Sequence, residues 1–308
     1  MLRYTLRRLL GAIPTVLLVI VLAFIMVRAA PGGPFDAERA LSPDVEANIA
    51  RYYNLDESLP RQFFRYLGGV LQGDLGPSYR YRDTTVSELI ADHLPVSMMI
   101  GGMAMLLAII VGVALGIMAA LNRTAITDRV VMGFAMLGIS VPVFVLAPVF
   151  MLFLSVKLQW LPAGWSSTPG PSKYVLPVIS LALPQIAYIA RLSRASLIDV
   201  LSSDFIRTAR AQGLSQGSIV RYHALKPAML PVLSYMGPAI AVILTGSVVI
   251  EEIFGIPGVG QFFVRGALNR DYTLVLGIVI FYAVLIVLLN LIVDLLYGLI
   301  DPRIRARR

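Results

Sequence analysis

The sequence predicts an all-α polytopic membrane protein with six transmembrane helices, on three observations. Of 308 residues, 57% are hydrophobic and 14% charged, and the mean hydropathy is +0.79, far from the soluble average. Six apolar runs each approach or exceed the ~20 residues that a hydrocarbon core requires. Beside those runs the cationic residues gather on one side: fifteen Lys and Arg flank the N-terminus, the second connection, a polar insert and the C-terminal tail, against four on the opposite short connections. Both termini are therefore expected in the cytoplasm, and the net charge of +8 reflects this asymmetry rather than a nucleic-acid-binding face.

The first run, Leu9 to Ala30, follows Arg3, Arg7 and Arg8. Its apolar stretch to Val27 exceeds the roughly 7 to 15 residues of a cleaved signal, so it reads as a retained anchor. Pro31, Gly32, Gly33 and Pro34 stop that helix and open one long external segment to His93. Phe63, Phe64, Tyr66, Tyr79 and Tyr81 predict that the segment is ordered, as a contact surface for an external partner or as a cap over the bundle. The other spans are expected at Leu94 to Leu121, Val130 to Val156, Tyr174 to Leu192, Ala228 to Ile253 and Leu274 to Ile300. The chain thus divides into an anchor (1–30), an external segment (31–93) and a five-helix core (94–308) carrying a cytoplasmic loop at 193–227.

Small residues recur every fourth position in the second span, at Ala104, Ala108, Gly112, Gly116 and Ala120. Such a column admits another backbone closely, from the same chain or from a second subunit. Pro142, Pro148, Pro177, Pro184 and Pro238 interrupt the spans, and irregular backbone at membrane depth is tolerated only against protein or a water-filled path. Four ionisable residues lie in or beside spans. Arg28, Glu251 and Glu252 sit near external ends, where they reach headgroups or water; Asp294 is deep, suited to an interhelical bond or a transport role. Pro142, Glu251 and Asp294 are the candidate pathway residues.

The insert between the fourth and fifth spans is the most informative stretch. Ser203 and Asp204 offer caps for a helix start and Gly213 a left-handed stop, predicting a helix over 204–212. Ile206, Ala209 and Gly213 fall on one side of it and Arg207 and Arg210 on another. Ser215 caps a second short helix to about Lys226, and Pro227 is placed to open the next span. A plain solvated basic loop is the simpler alternative.

Two catalytic signatures are missing: no Gly-Lys pair exists, so there is no phosphate-binding loop, and no His-Glu-x-x-His occurs. The absence of cysteine excludes thiolate chemistry, and His93 and His223 belong to opposite membrane faces, so no cofactor or metal is expected.

From end to end the chain resembles the membrane permeases of oligopeptide and dipeptide ABC importers, the OppB/DppB type, with a type I importer (MetI-like) fold. Arg7 to Pro14 with Arg28 to Pro34, Gly73 to Gly76, Phe205 to Gly213, and Glu251 to Gly260 with Asp301-Pro302-Arg303 carry the likeness. Importer permeases share a loop of Glu-Ala-Ala, three residues, Gly, nine residues and Ile-x-Leu-Pro. Here Arg207-Thr208-Ala209 fills the triplet and Gly213 the glycine, while His223, Leu225 and Pro227 stand near the closing motif. The usual glutamate is an arginine, so its contact does not carry over. The resemblance implies that Phe205, Ile206, Arg207, Thr208, Ala209, Arg210, Ala211, Gln212 and Gly213, with His223, Leu225 and Pro227, engage an ATPase. It also implies a second homologous permease, two cytoplasmic ATPases, a periplasmic peptide-binding protein, and a bacterial inner-membrane location among membrane lipid. ATP hydrolysis would belong to the partners, making this chain no enzyme. A proton-coupled secondary transporter working through Asp294 is the alternative, but it calls for an inverted repeat that the sequence lacks.

Overall fold

In the computed structural model of the chain, residues 2–29, 48, 51, 54–122, 126–165 and 170–300 are described, without the side chains of 2–9, 246, 294 and 296–300. The helices are α1 (Leu2–Ala29), α2 (Leu59–Leu71), α3 (Val86–Leu121), α4 (Ile126–Ser140), α5 (Val143–Phe150) and α6 (Ser172–Leu201). Then follow α7 (Asp204–Ala211), α8 (Gln216–Ser218), α9 (Leu225–Ala228), α10 (Leu230–Phe254), α11 (Val259–Leu268) and α12 (Tyr272–Ile300). No strand occurs among the described residues. Helices α1, α3, α6, α10 and α12 are each long and apolar enough to cross a membrane. Helices α4 and α5, the latter continued by the π-helical stretch Met151–Lys157, form an apolar pair bent by 106° that makes a sixth span when counted as one.

Three of the expected boundaries move. The second span begins at Val86 rather than Leu94, because Thr85 and Glu88 form a capping box: Glu88 N–H donates to Thr85 Oγ1 (3.2 Å) and Thr85 N–H to Glu88 Oε2 (2.8 Å). The fourth helix runs nine residues past Leu192, to Leu201. The third span is not one rod. Pro142 stands ahead of α5 in an extended conformation, and the residue before a proline is pushed out of the helical region. Pro148, Pro177, Pro184 and Pro238, by contrast, lie inside helices and break none of them.

The core is built on α3, α6 and α10. Ile100, Ala104 and Ala108 of α3 pack with Leu176, Leu181 and Ile189 of α6 and with Ile243 and Ile250 of α10. The small-residue column of α3 is the seam with α6, within this chain. A Cβ on Gly112 would lie 2.8 Å from Ile189 Cβ, and one on Gly116 2.6 Å from the Ala190 carbonyl oxygen. Helix α1 stands to the side, with Ile20 and Phe24 against Leu276 and Ile280 of α12 and against Phe63, Tyr66 and Leu67 of α2. Burial, then the Asp74 carboxylate, pushes the Tyr66 phenol up from its ordinary value, so it stays neutral.

The described residues ahead of α3, 54–85, are thus packed on the bundle, and Asp271 ties them to it. Fully buried, Asp271 caps α12 by accepting from Leu274 N–H (3.1 Å), and it also accepts from Ser78 Oγ and from the N–H groups of Tyr79 (3.1 Å) and Arg80 (3.2 Å).

Candidate functional site

The insert forms as its cap residues dictate, with two refinements. Ser203 occupies the N-cap position of α7, yet its hydroxyl donates back to the Val200 carbonyl (2.6 Å) instead of capping. Ser215 does cap α8, accepting from Ser218 N–H (3.4 Å). Gly213 has φ +84°, the left-handed conformation that ends α7 at little cost only for glycine. Pro227 does not open the fifth span. It lies within α9, after the π-helical stretch Ile219–Ala224; the chain breaks at Met229, and Pro231 sits in the first turn of α10. A proline has no N–H to give to the carbonyl four residues back, so widening the turn ahead of it avoids the clash.

Packing divides the insert sharply. Ile206 and Ala209 are buried with Ile219, Ala224 and Ala228 against Ala120 at the end of α3 and Leu197 near the end of α6. The insert is therefore seated on the spans. Outward stand Phe205, 51% exposed, and Tyr222, 68% exposed, with Arg207, Thr208, Arg210, Ala211, Gln212 and His223 also exposed; Leu225 and Pro227 are half-buried. Large apolar groups thus stand exposed among cations on the insert, a composition suited to contact with another protein. A cleft of about 410 Å³ separates Arg207, Arg210 and Gln216 from Leu121, Ile198 and Leu201.

Arg194 of α6, counted from sequence only as a flanking charge, has a specific partner. Its guanidinium grips Asp128 in the first turn of α4 through Nε to Oδ1 (2.6 Å) and Nη2 to Oδ2 (2.6 Å), a bidentate pair two turns ahead of the insert. The insert is thereby tied through α6 to the bent span. Spacing alone does not reveal a pair separated by 66 residues.

The pathway candidates fare unevenly. Pro142 marks the bend. Asp294 lies on α12 and its side chain falls outside the described residues. Glu251 corrects the sequence expectation: it is fully buried and reaches neither headgroups nor water. The chain folds back after α10 so that α11 starts against it, with Gly260 N–H donating to Glu251 Oε2 (2.7 Å) and Val259 N–H to Ser97 Oγ (3.0 Å). A Cβ on Gly260 would lie 2.5 Å from Val248 Cα. Glu251 is thus the acceptor for the free N–H groups of a helix start, while Glu252 is exposed and Arg28 stacks on Phe24. His93, on this same face, has Nδ1 3.1 Å from the Pro257 carbonyl. No cluster of three metal-ligating side chains occurs among the described residues.

Comparison with known proteins gives this architecture its relatives. Residues 112–306 match the binding-protein-dependent transport system inner membrane component family, and residues 1–101 match its N-terminal region. The chain is 53% identical over 307 residues to the oligopeptide transport system permease protein OppB of Salmonella typhimurium, covering 99% of this chain and 100% of the relative. It is 41% identical over 309 residues to the dipeptide transport system permease protein DppB of Bacillus subtilis, covering 100% and 99%. In structure it is similar to a chain of the inward-facing MetNI methionine ABC transporter, with a TM-score of 0.55 and 16% identity over 69% of this chain and 96% of that one. That likeness shows the type I permease fold. The chain belongs to the family of binding-protein-dependent transport system inner membrane components.

Proposed function

We propose that the chain is a permease subunit of an ATP-driven importer that carries oligopeptides, dipeptides or peptide-like compounds across the cytoplasmic membrane by alternating access. A second homologous permease, two cytoplasmic ATPases and a periplasmic peptide-binding protein complete the complex. Both termini and the insert face the cytoplasm, in keeping with the fifteen flanking cations. The observation that carries the reading is the divided insert: Ile206 and Ala209 are fixed to the spans while Phe205, Arg207, Arg210 and Tyr222 stand exposed, placed to enter a cleft of an ATPase, with Arg207 also paired to Asp204 (3.1 Å). Closure of the ATPase pair pushes α7, and α6 carries the push to α4 through the Arg194–Asp128 pair. A ligand or nucleotide shifts such an equilibrium only through its different affinity for the two states.

The test is uptake by the reconstituted complex with its binding protein. Peptide is expected to accumulate on ATP and to keep accumulating with a protonophore present; collapse under the protonophore alone would favour proton coupling. A second experiment addresses the insert. Gly213→Val forces a β-branched residue into φ +84°, at a cost of about 1–2 kcal/mol. With no atom within 4 Å of its Cβ, the substitution strains the turn without disturbing the packing. The variant is expected to insert normally, to lose most peptide uptake, and to crosslink less from Ala211→Cys to the ATPase. Normal coupled uptake by Gly213→Val would return the insert to a plain basic loop.

A further inference from the structure

One cluster within the spans is assigned no role by anything above. Gln185, Tyr188 and Arg191 succeed one another three residues apart on α6, and Tyr235 faces them from α10. Tyr235 OH donates to Gln185 Oε1 (2.9 Å), the Tyr188 and Tyr235 rings stack at 5.5 Å and 22°, and the Arg191 guanidinium lies 5.2 Å over the Tyr188 ring. Arg191 is exposed, and no carboxylate among the described residues forms a salt bridge with it.

Gly116 of α3 packs on Ala190 and Ser193, and α3 continues as Ile-Met-Ala-Ala-Leu to Leu121, about 7 Å further. Arg191 therefore stands level with the last two turns of α3, at the end of the apolar run where it counts among the flanking cations, and a cation so placed faces protein or water rather than acyl chains. The rest of the face agrees. Lipid-suited helix faces of this chain expose Leu10, Ile13, Leu17, Leu22 and Ile25 on α1, whereas α10 exposes Ser234 and Pro238 beside Tyr235, and Thr245 between Val242 and Val249 further along.

We propose that Gln185, Tyr188, Arg191 and Tyr235 form a subsite on the translocation path for the carboxylate end of a peptide, a reading that rests on the importer function above. Peptides of every sequence share one terminal carboxylate, and a guanidinium binds it through two parallel hydrogen bonds. Tyr188 holds the guanidinium plane by cation–π contact, and the tyrosine pair supplies an aromatic wall of low sequence preference. Because the cluster bridges α6 and α10, its geometry follows the relative movement of those spans.

The test compares uptake of one peptide with a free C-terminus and the same peptide C-terminally amidated, by the complete reconstituted importer and its binding protein. Any preference of the binding protein is common to parent and variant and cancels in the comparison. Arg191→Gln is expected to lower the free-to-amidated rate ratio about tenfold, the scale of one charge-assisted bidentate contact, and Arg191→Lys by at most about threefold. Equal loss for both peptides, or no change in the ratio, overturns the subsite. Should Arg191→Gln fail to assemble, the cysteine-free chain offers a second measurement. Tyr188→Cys is expected to be alkylated during uptake by a peptide bearing a bromoacetyl group beside its C-terminus, and Phe134→Cys on a lipid-suited face is not; equal labelling overturns the proposal. A parent complex that takes up neither peptide on ATP refutes the importer reading instead.

Discussion

Gly116→Val is expected to prevent assembly of the bundle, leaving less than about a tenth of the parent amount as folded complex in the membrane. A Cβ there meets the Ala190 carbonyl oxygen and Ser193 Cβ, both at 2.6 Å, and Arg194 N at 3.1 Å. Two of these three are backbone atoms, so no side-chain rotation relieves the clash and α3 must lift off α6. Overpacking of this kind costs about 1–3 kcal/mol, and more where backbone must move. Gly102→Val is the internal control, because nothing lies within 4 Å of its Cβ. Detergent extraction followed by size-exclusion of the tagged complex reads both. Equal yields for the two variants would mean that the α3–α6 seam is not what holds the core.

The second large effect belongs to Glu251. Glu251→Ala removes the acceptor of Gly260 N–H in a fully buried setting and leaves a void between α10 and α11. An orphaned buried donor costs about 1–3 kcal/mol, and the lost side-chain volume adds to it. The expected result is a clearly lowered thermal midpoint of the purified complex and loss of peptide uptake. Glu251→Gln keeps an acceptor oxygen at the same place and is expected to retain most of both. If Gln were as damaging as Ala, the negative charge, not the acceptor, would be the requirement.

These two sites also show where sequence reading succeeds and where it stops. The insert was legible because its signals are local: Ser215, Gly213 and the Ile206/Ala209 spacing each act within one or two helical turns. The early start of α3 carried a local signal too, Thr85 with Glu88, which hydropathy alone passes over. Glu251 was misplaced for a physical reason. Position along a span puts it near an end, and only the fold-back of 255–260 covers that end with α11. The prolines make the same point. Pro142 bends a span while Pro177 and Pro184 do not, although all three sit in apolar runs. Helix α6 is clasped by α3, α4, α5 and α10, which hold it straight, whereas Pro142 stands with an extended backbone at the junction between two helices. The Gln185–Tyr235 and Arg194–Asp128 pairs, separated by 50 and 66 residues, required the folded chain to be seen.

The α3–α6 seam also dictates a timetable. Gly112 and its partner Ile189 are 77 residues apart in the chain. At a synthesis rate of about 5–20 residues per second, Ile189 is made roughly 4–15 s after Gly112. Throughout that interval α3 is already long enough to occupy the bilayer, and its stripe of small residues has no native mate. The central interface of this protein therefore closes late, after most of the chain has been made, and the nascent α3 must remain unpaired or be shielded while it waits.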